Sequence, residues 1–506
     1  MKNIIKQLLP FCCLLSFVGY AQETNITFNK TYGGNDTLNI LAQAIVPVDS
    51  GYLAFGNYAT NTIEAGLGMT ILDKKGNFLS FKSIEQSPTF INLGINGGNQ
   101  ILKDNNNFSL LYIKEQDINI AKFNYNGDTL WHHSYSKMGF QSGIQAVKTH
   151  DAGYLIAGME ANVAGDTVRG YLLKVDSLGN FEWDRQYEKG NDSRFFSIQP
   201  TPWDGGYILG GMGYSPTTGY DMWVVKTDSL GDTLWTRSYG GVYGDCGAQV
   251  VPITTLEEYN AGMPVSYLLS GCWYTSANFW ESNVYLAKLD SAGAIIWQKT
   301  HATYNQLPNL PLANLQTPLI LRKGKRLIAG TAFFNIGIIQ PLIMAFNANG
   351  TIEWSKWITI NPEKDCYIKD MRPTDDGGYV LAGYQYDTPQ TAWVLKIDSL
   401  GNTCSFVGCD STVYVGVGET PILPLGDDVF RVYPNPAQDY IVVENHSQEQ
   451  NATFVLYDVV GRQVLSVISH NQSVVSVEHL PSGVYLYQFL NSQNQIVAYG
   501  KVSVVR

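Results

Sequence analysis

The chain has 506 residues, 45% hydrophobic and only 15% charged, so wholesale disorder is excluded and a large core is within reach. Its formal net charge is −11, from 33 Lys+Arg against 44 Asp+Glu with no basic run, which argues against a nucleic-acid or anionic-membrane partner. The 49 glycines and 12% aromatics suit many short strands joined by tight turns.

Residues 1–21 read as a cleaved signal peptide. Lys2 and Lys6 form the positive start, Ile4 to Val18 the apolar core, and Gly19-Tyr20-Ala21 a small-residue cleavage site before Gln22. A stop-transfer helix fits less well, because the apolar stretch is short and broken by Pro10. Cys12 and Cys13 lie too early, and in the wrong context, for a lipoprotein site. No later segment approaches the ~20 apolar residues of a spanning helix.

Residues 26–406 carry one pattern seven times: an apolar run, then Asp or Asn, two residues, and Gly. It falls at Asp73/Gly76, Asn124/Gly127, Asp176/Gly179, Asp228/Gly231, Asp290/Gly293, Asn347/Gly350 and Asp398/Gly401. A sustained period of fifty-odd residues signals a repeat architecture. The third, fourth and seventh units also share an Asp-x-Gly-Tyr stretch, at Asp151 to Tyr154, Asp204 to Tyr207 and Asp376 to Tyr379. Each unit holds four extended runs separated by Gly/Asp/Asn/Ser turns, without helical periodicity. In the turn, the Asp side chain accepts from backbone N–H groups and Gly supplies a positive φ. A Trp four residues after the Gly (Trp131, Trp183, Trp235, Trp297, Trp354) is expected to pack on the neighbouring unit. Ser80 and Ser405 stand at that position in two units, with Phe81 and Phe406 as candidate substitutes.

Four strands in each of seven units predict an all-β fold, a seven-bladed β-propeller. The start Phe28-Asn-Lys-Thr-Tyr32-Gly-Gly34 matches the outer strand Trp235-Thr-Arg-Ser-Tyr239-Gly-Gly241, and the seventh unit runs out at Cys404. The N-terminal segment is therefore expected to complete the last blade and fasten the ring. The run Trp223 to Trp235 resembles the repeats of bacterial seven-bladed propellers with short K-x-D-x-x-G-x-x-x-W blades. It is also similar to the tryptophan-docking repeats of quinoprotein propellers, one residue shorter between Asp and Gly. That resemblance implies a fold and leaves the activity open.

Five cysteines remain after cleavage, an odd number for an exported protein. Cys246 with Cys272, in one unit, is the leading disulfide pair; Cys404 with Cys409 or Cys366 is the next. Residues 407–428, with Pro421 and Pro424, read as a linker, and 429–506 as a small Ig-like β-sandwich of alternating strands. Tyr433-Pro434-Asn435-Pro436 opens it, Tyr457 to Arg462 with Gly461 lies in the middle, Leu480 to Tyr485 with Gly483 precedes the last hairpin, and Gly500-Lys501-Val502 ends it. Together these resemble the type A C-terminal sorting domain of the type IX secretion system of gram-negative bacteria. The resemblance implies the secretion machinery and its surface peptidase as partners. It also implies export to the outer face of the outer membrane, with the cargo anchored there or released. An ordinary adhesive sandwich is the alternative.

No catalytic residues, metal ligands or cofactor motif emerge: there is no H-E-x-x-H, no G-x-S-x-G and no Cys/His zinc spacing. Seven arginines between residues 26 and 406, out of register, argue against a sialidase-like propeller. The recurrent carboxylates sit in turns, where backbone capping suffices and calcium is the lesser reading. Loops between the second and third strands carry Tyr58, Tyr214, Trp273, Tyr274, Phe279, Trp280, Phe333, Phe334, Tyr384 and Tyr386. They are expected on the face opposite the Asp-x-x-Gly turns, as sugar or protein contacts or as gap-filling between blades. Asp followed by Ser or Thr and an aliphatic residue resembles the O-glycosylation sequon of the same bacteria, making Ser177, Ser229 and Ser399 acceptors; turn chemistry is the equal alternative. The leading reading is a secreted or cell-surface propeller that binds carbohydrate or protein without catalysis. A surface polysaccharide hydrolase or lyase, or a structural envelope component, is the alternative. A convergent pair of buried, pKa-shifted carboxylates would favour the enzyme, and a shallow aromatic platform the binder.

Overall fold

The computed structural model describes residues 26–505 apart from 34–37, 61–64, 87–90, 94–99, 105–106, 275–281, 302–319, 322–326, 336–337, 359–360, 362–363, 387–389, 404–409, 415–429, 446–451, 459–461, 470 and 492–495. Seven sheets follow one another, each built around four antiparallel strands that run from the inside outward in sequence order, except that the outer strand of the seventh comes from the start of the chain. Blade 3 comprises Phe140–Lys148, Tyr154–Ala161, Val168–Val175 and Phe181–Tyr187; blade 4 repeats it with Ser193–Thr201, Gly206–Ser215, Gly219–Thr227 and Thr233–Tyr239. Every neighbouring pair of sheets shares an apolar core, including the pair that joins the last blade to the first. The molecule contains a closed seven-bladed propeller.

Closure is made as the repeat frame requires. Phe28–Gly33 pairs antiparallel with Thr391–Ile397 and becomes the fourth strand of blade 7. Its Asn29 carbonyl oxygen Oδ1 accepts from the buried Trp393 Nε1 at 2.6 Å. Asp410–Tyr414, inside the stretch read as linker, adds a fifth strand parallel to Phe28–Gly33 on its outer edge. The N-terminal strand is buried along its whole length in consequence.

The hairpin between third and fourth strands shows why the motif recurs. Asp73, Asp176, Asp228, Asp290, Asn347 and Asp398 each use Oδ1 to accept from the N–H groups two and four residues on. All seven glycines of the motif adopt a left-handed φ between 69° and 86°. The outer strand of the preceding blade then closes over that glycine. A Cβ on Gly179, Gly231, Gly293, Gly350 or Gly401 would lie 2.5–2.9 Å from Trp131, Trp183, Trp235, Trp297 or Trp354 respectively. Four residues beyond the Trp, the hydroxyls of Tyr135, Tyr187 and Tyr239 donate to the carbonyls of Gly179, Gly231 and Gly293. The N-terminal strand makes the same contact on blade 1, with Phe28 over Gly76 and the Tyr32 hydroxyl on its carbonyl at 2.7 Å.

Blade 1 departs from this. Gly127 is covered by Lys82 and Met69, and Lys82 binds the Asn126 carbonyl and Asp128. Phe81 does not substitute for the missing Trp: one residue along a strand reverses the side chain, and it packs instead on Gly68 and Tyr58. Phe406 lies outside the described residues. Blade 5 holds the single helix described, Leu256–Asn260, opened by Thr255 and Glu258 in a reciprocal capping box. This insertion lengthens the spacing between the fourth and fifth units.

Residues beyond Phe430 form two further sheets with their own core around Ile441, Phe454, Phe489 and Val502. The motifs there are local fasteners. Asn435 Oδ1 accepts from Ser503 N and Ala437 N donates to Ser503 O, tying the opening turn to the last strand. The Tyr485 hydroxyl donates to Pro481 O within Leu480 to Tyr485. Gly483 begins Gly483–Leu490 opposite Val504, and the Lys501 backbone lies in Ile496–Val504; Gly461 is outside the described residues.

Candidate functional site

Strand alternation puts the 2–3 loops and the connections between blades on one face, and both sets of hairpins on the other. The aromatics expected in the loops mostly sit at the ends of long strands, where aromatic side chains are favoured. Tyr58 and Tyr274 are buried rather than presented: Tyr58 belongs to the core that closes the ring and bonds Ser83 at 2.7 Å. Trp273 is half-buried and stacks on Tyr285 at 5.1 Å. Tyr214 meets Tyr220 edge-on at 5.4 Å, and Tyr220 donates to Asp192, which Arg194 grips with two nitrogens at 2.7 Å. Phe333 and Phe334 lie in the strand Leu327–Asn335, with side chains outside the described residues, as are Phe279 and Trp280.

Blade 7 gathers the rest. Tyr367 and Tyr384 are cross-strand partners whose rings stack at 4.9 Å, and Tyr386, on the same face of its strand as Tyr384, is 59% exposed. Between Ile368 and Asp370 the inner strand bulges by one residue, Lys369. Its ammonium stands 5.7 Å from the Tyr367 ring centroid and 5.8 Å from that of Tyr384. Burial lowers the Lys369 pKa, and burial, with Asp365 and the neighbouring tyrosines, raises that of Tyr367 to about 12. Sequence reasoning missed Tyr367 and Lys369. The available signal was a charge at a bulge where blades 3 and 4 carry Ile144 and Phe196.

The residue after that bulge fastens adjacent inner strands. Gln145 Oε1 accepts from Ile198 N of blade 4, Ser197 Oγ from Val250 N of blade 5, and Asp370 Oδ2 from Ile45 N of blade 1. Asp370 is fully buried and also accepts from Arg372 Nε at 3.0 Å. Its burial outweighs these bonds and raises the carboxyl pKa.

One buried carboxylate pair converges on the loop face. Asp221 Oδ1 and Asp245 Oδ2 each lie 2.8 Å from the point a Cβ of Gly240 would occupy. Burial raises the Asp245 pKa, with Asp221 adding to it against bonds from two backbone N–H groups. Those donors, Gly241 N and Tyr274 N, occupy both oxygens, so Asp245 braces the connection between blades 4 and 5.

The hairpin face is ionic. Lys174, Lys226 and Lys396, almost fully buried, each bind the Asp of an Asp-x-Gly-Tyr turn (Asp151, Asp204, Asp376) at 2.8 Å. A cleft of about 350 Å³ opens there at the ring closure, lined by Tyr52, Lys74, Asp49, Asp375, Asp376 and Lys396 among others. Ser177 and Ser229 are exposed at hairpin tips and Ser399 is half-buried. Among the described residues, no group of three or more His, Cys, Asp or Glu is placed to hold a metal. Cys272 is disulfide-bonded, and the residue opposite it in the ladder is Cys246. Cys366 is buried and its Sγ donates to Lys364 O; Cys404 and Cys409, its expected alternatives for pairing, lie outside the described residues.

Residues 431–503 match the family model described as the secretion system C-terminal sorting domain. No curated protein sequence matches the chain. Among solved structures, it is similar to puromycin hydrolase at 11% identity and a TM-score of 0.44, over 90% of this chain and 59% of that one. It is likewise similar to the Bombyx mori GH32 beta-fructofuranosidase BmSUC1 (10%, 0.31, 83% of this chain and 87% of that one). A third is the GH43 endo-arabinanase from Bacillus licheniformis (11%, 0.29, 51% and 94%). Likenesses this distant do not bear on activity. The sorting domain makes this a secreted or cell-surface protein.

Proposed function

We propose that this protein is a non-catalytic glycan-binding propeller, delivered by the type IX secretion system and displayed at the outer face of the outer membrane or released. The observation behind this is the blade 7 cluster at the face where the blades connect, in which Tyr367 and Tyr384 are half-buried and stacked and Tyr386 beside them is exposed. Stacked phenol rings offer flat apolar area with polar rims, the surface that sugar rings match. The recurrent carboxylates, by contrast, are committed to turns and to lysines. Retention of the purified chain on insoluble polysaccharides tests the reading. Tyr386→Ala combined with Tyr384→Ala is expected to abolish retention while leaving the melting temperature near wild type. Unchanged retention would refute the platform.

A second reading, a surface hydrolase acting on polysaccharide, rests on Asp221 and Asp245. It requires glycan turnover that disappears in Asp245→Asn. Release of reducing ends by wild-type protein, lost in that variant, would replace the binding proposal.

A further inference from the structure

Among the described residues, Lys369 has no ordinary partner. A long cationic side chain usually keeps its ammonium in water or against a carboxylate. Here the ammonium is half-buried over two tyrosine rings, and among the described residues no carboxylate or hydrogen-bond acceptor meets it. Asp365 acts on Tyr367, whereas burial alone acts on Lys369. The contrast with Lys174, Lys226 and Lys396 is sharp, since each of those, deeper in the same fold, has an aspartate at 2.8 Å.

Desolvating an ammonium without an anion is costly, and two cation–π contacts return only part of that cost. The side on which Tyr386 is exposed is open to an anion that would complete the arrangement. The bulge fixes the geometry, because the extra residue cannot rotate into the ladder while Ile368 and Asp370 hold their partners on either side. Asp370, immediately following, is bonded to Ile45 N, Met371 N and Arg372, so it does not compete for the lysine.

We infer that the blade 7 platform selects acidic polysaccharides, with Lys369 as counter-ion to a carboxylate or sulfate on a sugar whose ring lies on Tyr384 and Tyr386. This rests on the glycan-binding reading above and adds the charge of the ligand. The test compares the full chain on polygalacturonate, a sulfated galactan, neutral arabinan and polyglutamate, by isothermal titration at fixed ionic strength. The expected result is preference for an acidic polymer, the carboxylated and sulfated arms telling which anion is used. Lys369→Met should weaken that binding about tenfold or more, with Lys369→Arg retaining most of it. Lys369→Met should not lower the melting temperature, since it removes a half-buried charge whose desolvation two ring contacts offset only in part. A fall of several degrees would mean the lysine is structural and would overturn the inference. Equal binding to arabinan, unaffected by Lys369→Met, would overturn it while leaving glycan binding intact. Polyglutamate bound as tightly as the acidic glycans would overturn the sugar assignment, and binding to none of the four would overturn both readings.

Discussion

Each hairpin glycine meets two demands at once. Gly231 needs a left-handed backbone, at φ 81°, and must leave room for Trp183, 2.9 Å from where a Cβ would stand. Gly231→Ala should therefore destabilise by about 1–3 kcal/mol, read by denaturant titration. Tyr187→Phe, which removes only the hydroxyl on Gly231 O, should cost about 1 kcal/mol. The Asp-x-Gly-Tyr turns make a different prediction. Burial pushes the Asp151 carboxyl upward, but bonds from Lys174, Thr149 and Gly153 N–H hold it at about 2, below its ordinary 3.8. Asp204 and Asp376 are held down in the same way by Lys226 and Lys396. A depressed carboxyl contributes stability above its unfolded value and loses it as the pH falls through the folded one. Melting temperature should drop between about pH 4 and pH 2, and the triple Asn variant at these positions should show a shallower acid limb. The capping role of the hairpin Asp was legible from one residue type at one spacing. The aspartate partner of each buried lysine was not, because it lies twenty or more residues earlier, in a turn of the same blade.

At the level of strands, the joint between blades 7 and 1 carries the most consequence. Phe28 and Tyr32 cover Gly76 as the Trp/Tyr pairs do elsewhere, so Phe28→Ala should cost about 3–5 kcal/mol. Loss of cooperativity in the unfolding curve is the accompanying sign of an opened ring. The swap of an N-terminal strand into the last sheet was readable because Phe28 to Gly34 repeats the outer-strand pattern. Asp410–Tyr414 was not, since a parallel fifth strand has no counterpart in the other units to align with. The helix after Thr255 was missed although Thr255 and Glu258 have capping-box spacing; five residues give too short a window for periodicity. Loop aromatics were misplaced for a related reason: Tyr58 and Tyr274 extend strands and fill the core, while Tyr386 reaches solvent. Cys246 opposite Cys272 predicts a cross-strand disulfide linking their two peptides, to be found by mass spectrometry before and absent after reduction.

On the scale of the molecule, the propeller and the sorting domain divide their tasks. The domain at 431–503 has its own core and its own fasteners, so deleting it should leave the propeller's melting behaviour intact while the protein fails to reach the medium or the cell surface. Fractionation with immunoblotting checks this. The architecture was legible because seven copies average out individual lapses. The proposed ligand was not, because the feature it rests on, Lys369 at the bulge of one blade, is a single departure that an alignment of the repeats outvotes.

The bond from Trp393 to Asn29 joins residues 364 positions apart. Nearly the whole polypeptide must be made before the first strand finds its slot, and until then blade 7 offers a bare edge to any matching strand nearby. At high concentration the nearest such strand belongs to another copy. Refolding yield should therefore fall with protein concentration, and the by-product should be an interlocked dimer in which two chains have traded their leading strands.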